Sequence, residues 1–137
     1  MQSANSAADV RQKGNDSYIM EITLIAKKRI VVMRLCGEID HHSAGVIRNE
    51  LEREIKRTGA INIALDFGRV AFMDSSGIGM IIGRYKTVKA LGGNIIIFDA
   101  SEQVRRLLKM AGIDKLAVIC STLREGMEII NGRNEIK

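Results

Sequence analysis

Hydrophobic residues along the chain follow two patterns, short runs typical of β-strands and a spacing of three or four residues typical of helices. Two β-rich runs, Tyr18–Ile25 and Arg29–Cys36, are separated by only three residues and predict an antiparallel hairpin. After the hairpin, apolar runs of strand length alternate with segments in which apolar residues recur every three or four positions. The predicted order is ββαβαβαβα, without internal repeats. This order indicates an α/β fold with a single mixed β-sheet whose later strands are linked by crossover helices.

The first helix after the hairpin is predicted over Ala44–Arg57. Ser43 is expected to cap its start, and Glu50, Glu52 and Glu54 are expected to lie towards solvent. The remaining predicted elements are strands at Ile61–Phe67, Asn94–Ala100 and Leu116–Cys120, a helix within Phe72–Leu91, a helix capped by Ser101, and a final helix that begins at Ser121 or Thr122.

The most informative stretch is Phe72–Lys86, where an apolar run breaks into two serines and then into a helix. Asp74 and the serines suit an N-cap, because their oxygens accept hydrogen bonds from the free N–H groups of a first helical turn. Ser75 is therefore predicted to lie at or beside a helix start. The residues expected to face the core recur at helical spacing and are Ile78, Ile81, Ile82, Tyr85 and Val88.

The opposite face of this helix is poor in side chains. It carries Ser76, Gly79, Met80, Gly83 and Thr87, and each interior glycine should cost roughly 1 kcal/mol relative to alanine. One interpretation is that the helix packs tightly within its own protein. The other is a flat surface where another protein docks, with Met80 as an adaptable apolar contact. The sequence leaves both interpretations open.

Length and composition indicate one domain. The 137 residues, 46% of them hydrophobic, suffice for a single core, which we expect within residues 17–133. Residues 1–16 are expected to form a flexible tail, because they bury too little apolar surface to offset their ordering entropy. No run of 18 apolar residues and no signal peptide is present, so a cytoplasmic location without membrane association is expected.

The net charge of +5 does not by itself indicate a nucleic-acid-binding protein. The basic residues are scattered over several predicted helices, and aromatic residues make up only 4% of the chain, so no nucleic-acid partner is expected. Cys36 and Cys120 each end an apolar run and lack a C-x-x-C partner. Both are expected to be reduced residues of the core.

One motif resembles a dinucleotide fingerprint. Gly77, Gly79 and Gly83 form a G-x-G-x-x-x-G sequence, and Asp99 ends the next strand. However, the third glycine is one residue late, the glycines lie within the periodic helix, and the chain has no room for a substrate domain. A small nucleotide-binding protein or enzyme that uses this segment therefore remains only an alternative.

Other catalytic and metal motifs are incomplete. Ser75 lacks the G-x-S-x-G context of a hydrolase, because Met73 stands where the first glycine would be. Asp40, His41 and His42 are adjacent and have no distant partner to complete a metal site, so a capping and turn role is expected for them. The sequence thus predicts no catalytic residue, no metal ligand and no cofactor.

Ser75 remains as a site of chemical modification. A phosphate there would add roughly −1.5 to −2 charges, and the positive end of the helix dipole tolerates such charge. Phosphorylation should therefore leave the fold intact and change the binding of whatever docks on the adjoining surface.

Two motifs are similar to those of a known family. The runs Gly37–His42 (G-E-I-D-H-H) and Phe72–Gly79 (F-M-D-S-S-G-I-G) resemble the STAS domain of bacterial anti-sigma factor antagonists, and within it the sporulation anti-anti-sigma factors. The likeness extends from about Tyr18 to Ile130. It implies a mixed sheet with helices largely on one face and no catalytic activity.

The resemblance also implies partner switching. The unphosphorylated protein would bind an anti-sigma factor that is a serine kinase and release a sporulation sigma factor. The kinase would phosphorylate Ser75, with Ser76 as the second choice, and a serine phosphatase would restore the active form. The residues that the resemblance assigns to the kinase contact are Asp40, Asp74, Ser76, Gly77, Gly79, Met80, Gly83 and Arg84.

Overall fold

The computed structural model describes residues 8–11 and 18–136, with side chains over 18–133. These residues form one six-stranded sheet and four α-helices. The strands are β1 (Ala8–Arg11), β2 (Ile19–Ile25), β3 (Ile30–Ile39), β4 (Asn62–Met73), β5 (Ile95–Phe98) and β6 (Val118–Cys120). The helices are α1 (His41–Thr58), α2 (Ser75–Ala90), α3 (Glu102–Met110) and α4 (Leu123–Ile136).

The strands lie side by side in the order in which they occur in the sequence. β1, β2 and β3 are antiparallel, whereas β3, β4, β5 and β6 are parallel. The predicted hairpin is confirmed: Ile25 is opposite Ile30 across a short 3-10 turn at Ala26–Lys28, and Arg29 closes the turn with φ of 53°. The predicted mixed sheet of an α/β fold is therefore confirmed.

Part of the segment predicted to be a flexible tail forms a strand. Ala8–Arg11 forms β1, with Ala8 opposite Ile25 and Arg11 opposite Ile22 of β2. Few apolar side chains are needed for this pairing, because a strand edge also offers backbone hydrogen bonds. For residues 1–7 and 12–16, which lie outside the described residues, the tail stays a prediction.

The helices cover the two faces of the sheet unequally. The larger core lies under α1, α2 and α3 and takes alternate strand residues such as Ile63, Leu65 and Phe67. The smaller core lies under α4 and takes the residues between them, including Ala64 and Ile96. Three of the four helices thus share one face, as predicted. Within residues 18–136, no helix is long and apolar enough to cross a membrane.

Helix α1 differs from its prediction at its start and on its glutamate side. Asp40, rather than Ser43, is the N-cap, so the helix begins at His41. Glu50 and Glu54, expected towards solvent, are buried. Each forms an ion pair with an arginine three residues later on the same helix. Arg53 Nη1 lies 3.3 Å from Glu50 Oε1, and Arg57 Nη2 lies 2.9 Å from Glu54 Oε1. These short-range pairs make burial of the carboxylates tolerable.

Candidate functional site

Two helices start side by side at one edge of the sheet. Ile39 of β3 and Met73 of β4 are paired in parallel register, and each is followed by an aspartate that caps a helix. Asp40 has φ and ψ of −111° and −166°, and Asp74 has −111° and −168°. The β3–α1 and β4–α2 junctions therefore have the same geometry, and α1 and α2 begin at the same edge.

Asp40 forms a reciprocal capping box with Ser43. The Ser43 N–H donates to Asp40 Oδ1 at 3.0 Å, and the Asp40 N–H donates to Ser43 Oγ at 2.8 Å. The hydrogen bonds from the Ser43 backbone and side chain lower the pKa of Asp40 below its usual 3.8. His42 packs edge-on against Tyr18, with ring centroids 5.9 Å apart. The capping role predicted for this segment is confirmed for Asp40, whereas His41 and His42 are the first two residues of α1.

Ser75 is the first residue of α2 and is exposed. Its neighbour Asp74 caps the helix, accepting a hydrogen bond from the Ser76 N–H at 2.8 Å. The predicted position of Ser75 at a helix start is confirmed. The residue as a whole is exposed, and the N–H groups of the first turn provide a favourable field for an added negative charge. The acceptor role itself stays a prediction.

Helix α2 is rotated relative to the predicted stripe. Ile81 and Val88 are buried as expected, whereas Ile78, Ile82 and Tyr85 are partly buried against the core. The buried positions of the helix are Gly77, Met80, Ile81, Arg84 and Val88. The prediction that Met80 lies on the face away from the core is therefore wrong, since only 6% of it is exposed.

Gly77 explains this rotation. A Cβ at Gly77 would collide with Met73 and lie 3.1 Å from Ile39 Cγ2, so the missing side chain lets α2 approach β3 and β4 closely. The position where a side chain at Gly77 would start faces the core, and the partner contact predicted for Gly77 stays a prediction. Gly79 and Gly83 differ: apart from the backbone of α2 itself, a Cβ at either position would have open space around it to 4 Å.

An open groove of about 370 Å³ runs between α1 and α2. We call it the α1–α2 groove. It is lined by His41, Ala44, Gly45, Arg48, Ser76, Gly79, Met80, Gly83 and Arg84. The α2 wall is formed by five of the predicted partner contacts, namely Ser76, Gly79, Met80, Gly83 and Arg84. Asp40 and Asp74 stand at the helix starts beside it, and Gly77 does not line it.

Sequence reasoning missed the wall that α1 contributes. Gly45 lies inside α1, and apart from the backbone of α1 itself a Cβ there would have open space around it to 4 Å. Because an interior helix glycine is destabilising, Gly45 carried the same signal that drew attention to Gly79 and Gly83. The sequence therefore contained a signal for Gly45, but it did not show that α1 and α2 lie side by side.

Arg84 lies at the back of the groove and is only 7% exposed. Its Nη1 donates to Glu52 Oε2 of α1 at 2.9 Å, and the Glu52 side chain is 46% exposed. Arg84 Nε has no acceptor among the described residues, although it is buried. A buried donor without an acceptor typically costs about 1–3 kcal/mol. The groove therefore contains a buried cation whose hydrogen-bonding capacity is incompletely used.

The alternative sites are not supported by the geometry. The glycines of the dinucleotide-like motif lie inside α2, whereas a phosphate-binding loop precedes its helix. Within the described part of the chain, no cluster of three potential metal ligands is present. Cys36 and Cys120, which were expected in the core, are partly buried, and burial raises the pKa of the Cys120 thiol.

Comparisons with known proteins agree with this architecture. A family model described as STAS domain matches residues 21–126. The chain is 36% identical over 100 residues to the anti-sigma F factor antagonist of Paenibacillus polymyxa, which covers 73% of this chain and 86% of the relative.

Two solved structures of SpoIIAA are similar to the chain. The anti-sigma factor antagonist SpoIIAA in its unphosphorylated form has a TM-score of 0.66 and 32% identity, over 77% of this chain and 90% of that chain. The Bacillus cell fate determinant SpoIIAA in its phosphorylated form has a TM-score of 0.59 and 31% identity, over 75% and 92%. With its mixed sheet, its twin helix starts and the family match over most of its length, the chain belongs to the STAS-domain family.

Proposed function

We propose that this chain is an anti-sigma factor antagonist switched by phosphorylation of Ser75. The observation that carries the proposal is the exposed Ser75 at the start of α2, beside the open α1–α2 groove. In the unphosphorylated state the chain binds an anti-sigma factor that is a serine kinase, and a sporulation sigma factor is released. A serine phosphatase reverses the modification. This role has no catalytic step in the chain itself and belongs in the cytoplasm, where sigma factors act.

The comparisons support the proposal at two levels. A relative that is 36% identical is an anti-sigma F factor antagonist, which supports the class of partner. SpoIIAA has both an unphosphorylated and a phosphorylated form, which supports a phosphate switch in a chain with this fold. We place the docking surface on the α1–α2 groove, with Gly79 and Gly83 as the positions where a partner approaches the backbone of α2.

The phosphate acts on binding rather than on folding. At Ser75 it lies at the positive end of α2, where each favourable contact with an anion contributes typically about 0.3–1 kcal/mol. This favourable contribution stabilises the folded state, so the phosphate does not act by unfolding the domain. The same phosphate adds bulk and negative charge at the rim of the groove, where it repels a partner that approaches an unmodified serine.

The test uses intact mass after incubation with ATP and the anti-sigma F factor of Paenibacillus polymyxa. We expect one added phosphate on the wild-type chain and on the matched control Ser76→Ala, and none on Ser75→Ala. Ser75→Ala should still bind the anti-sigma factor, in the presence and in the absence of ATP. A phosphate that remains on Ser75→Ala would contradict the assignment of the acceptor.

The phosphorylated and unmodified chains are then compared by thermal unfolding and by titration with the same anti-sigma factor. The melting temperature should be unchanged or slightly raised by the phosphate, while the affinity falls. A melting temperature lowered by many degrees, or an affinity that does not change, would contradict the proposed switch.

A further inference from the structure

We infer that the α1–α2 groove receives an acidic side chain of the anti-sigma factor, an aspartate or glutamate carboxylate that accepts hydrogen bonds from Arg84. This inference rests on the proposed function, because it assigns the chemistry of the partner at the same surface. It gives Arg84, already a predicted partner contact, a defined ligand chemistry, and it adds a regulator of that residue within this chain, Glu52.

The state of Arg84 carries the inference. The residue lines the groove and is more than nine-tenths buried, so its charge is poorly solvated. One ion pair, from Nη1 to Glu52, is present at 2.9 Å, while Nε lacks an acceptor among residues 18–133. A guanidinium offers five N–H donors in a planar fork that matches the two oxygens of a carboxylate. A carboxylate is therefore the ligand that best matches the guanidinium of Arg84.

The walls of the groove allow such a side chain to reach Arg84. Gly45, Gly79 and Gly83 contribute no side chain, and apart from the helix's own backbone a Cβ at any of them would have open space around it to 4 Å. A partner backbone can therefore lie close to both helices. The other cation on the lining is Arg48, which is exposed on α1. Within residues 18–133, the groove lining itself contains no carboxylate, although Asp40 and Asp74 stand at the helix starts beside it. Arg48 and Arg84 therefore favour an acidic side chain of the partner within the groove.

Glu52 competes with the partner for Arg84. Its half-exposed carboxylate holds Nη1 in the free protein, and an incoming carboxylate must share or replace that contact. Glu52 thereby lowers the net positive charge that the groove presents. Neutralising it should strengthen binding of an acidic partner, whereas a purely structural tie between α1 and α2 would predict weaker or unchanged binding.

The experiment measures the affinity of the purified Paenibacillus polymyxa anti-sigma F factor for four variants by calorimetry. Arg84→Lys keeps the charge but removes the planar fork, and should weaken binding about tenfold or more. Glu52→Gln should tighten binding about threefold. The matched controls are Arg106→Lys and Glu102→Gln, which alter an exposed ion pair on α3 and should change the affinity by less than about twofold.

Wild-type affinity in Arg84→Lys, or weaker or unchanged binding of Glu52→Gln, would overturn the inference. If Arg84→Lys does not fold, as judged by its thermal unfolding, Glu52→Gln alone decides, since its side chain lies largely at the surface. If the wild-type chain neither binds the anti-sigma factor nor is phosphorylated by it, the proposed function fails as well. If the wild-type chain binds the anti-sigma factor and Arg84→Lys binds it equally well, only the inference about Arg84 is contradicted, and the proposed function stands.

Discussion

Gly126 of α4 and Gly83 of α2 are both interior helix glycines, yet their surroundings are opposite. A Cβ at Gly126 would lie 2.6 Å from Ile96 Cγ2 and 3.0 Å from Cys120 Sγ, so this glycine lets α4 pack onto the sheet. Apart from the backbone of α2 itself, a Cβ at Gly83 would have open space around it to 4 Å. The cost of Gly126 is offset by packing inside the molecule, whereas nothing inside the described molecule offsets the cost of Gly83.

The same contrast occurs within α2 itself. Gly77 is crowded by Met73 and Ile39, while Gly79, only two residues later, has open space. Opposite faces of one helical turn thus use glycine for two purposes, close packing against the strands and a bare surface in the α1–α2 groove. A glycine in a helix therefore identifies a docking surface only after its neighbours in space are known.

The largest expected effect is the destabilisation caused by Gly126→Leu. The new side chain must enter the small core beside Ile96, where overpacking outweighs the better helix propensity of leucine. We expect a loss of about 2 kcal/mol in the free energy of unfolding, which corresponds to roughly 4–10 °C in melting temperature. The measurement is thermal unfolding beside Gly132→Leu, a matched control in the same helix whose Cβ position is open. Equal stability of the two variants would break the comparison.

Gly83→Leu should weaken partner binding without weakening the fold. Its free energy of unfolding should be unchanged or up to about 1 kcal/mol higher, because leucine is the better helix former and the site has room. Its affinity for the anti-sigma factor should fall about tenfold or more, because the side chain fills the groove. Thermal unfolding and calorimetric titration test both halves, again with Gly132→Leu as the control. A strong loss of stability would mean that Gly83 serves internal packing.

The smallest expected effect concerns Asp40, which starts the α1 wall of the groove. Its pKa is lowered in the folded state by the hydrogen bonds from Ser43, so its charged form stabilises the fold above its usual pKa of 3.8. This stabilisation is lost as the pH falls through the lower, folded-state pKa. Asp40→Asn should therefore be slightly less stable than wild type near neutral pH, with the difference shrinking in acid. Urea unfolding across this range measures it, and a difference that grows in acid would contradict the capping assignment.

Local signals allowed much of the fold to be predicted. The hairpin, the order of strands and helices, and the position of Ser75 at a helix start each depend on residues close in sequence, where turns, caps and periodicity act. The open space at Gly79 and Gly83 also followed from the helical arrangement. These features required no knowledge of which helix lies beside which.

The features that the sequence did not reveal depend on distant partners. Arg84 is buried because Glu52, thirty-two residues earlier, lies beside it once α1 and α2 have packed on the sheet, and a lone arginine in a helix carries no sign of this. Met80 was placed on the wrong face because the loss of a side chain at Gly77 lets the helix rotate towards the strands. The spacing of apolar residues along a helix gives only the mean direction of its buried face, so it does not show a local change of this kind.

The strand β1 has a consequence for the behaviour of the protein in solution. Residues Ala8–Arg11 pair with β2 along Ile22–Ile25, and so cover backbone groups that would otherwise be free to pair with a strand from another molecule. At the far side of the sheet, β6 spans only Val118–Cys120, too short to template extensive pairing. Deletion of the first eleven residues should therefore promote self-association through β2, even though it leaves Ser75 and the α1–α2 groove untouched.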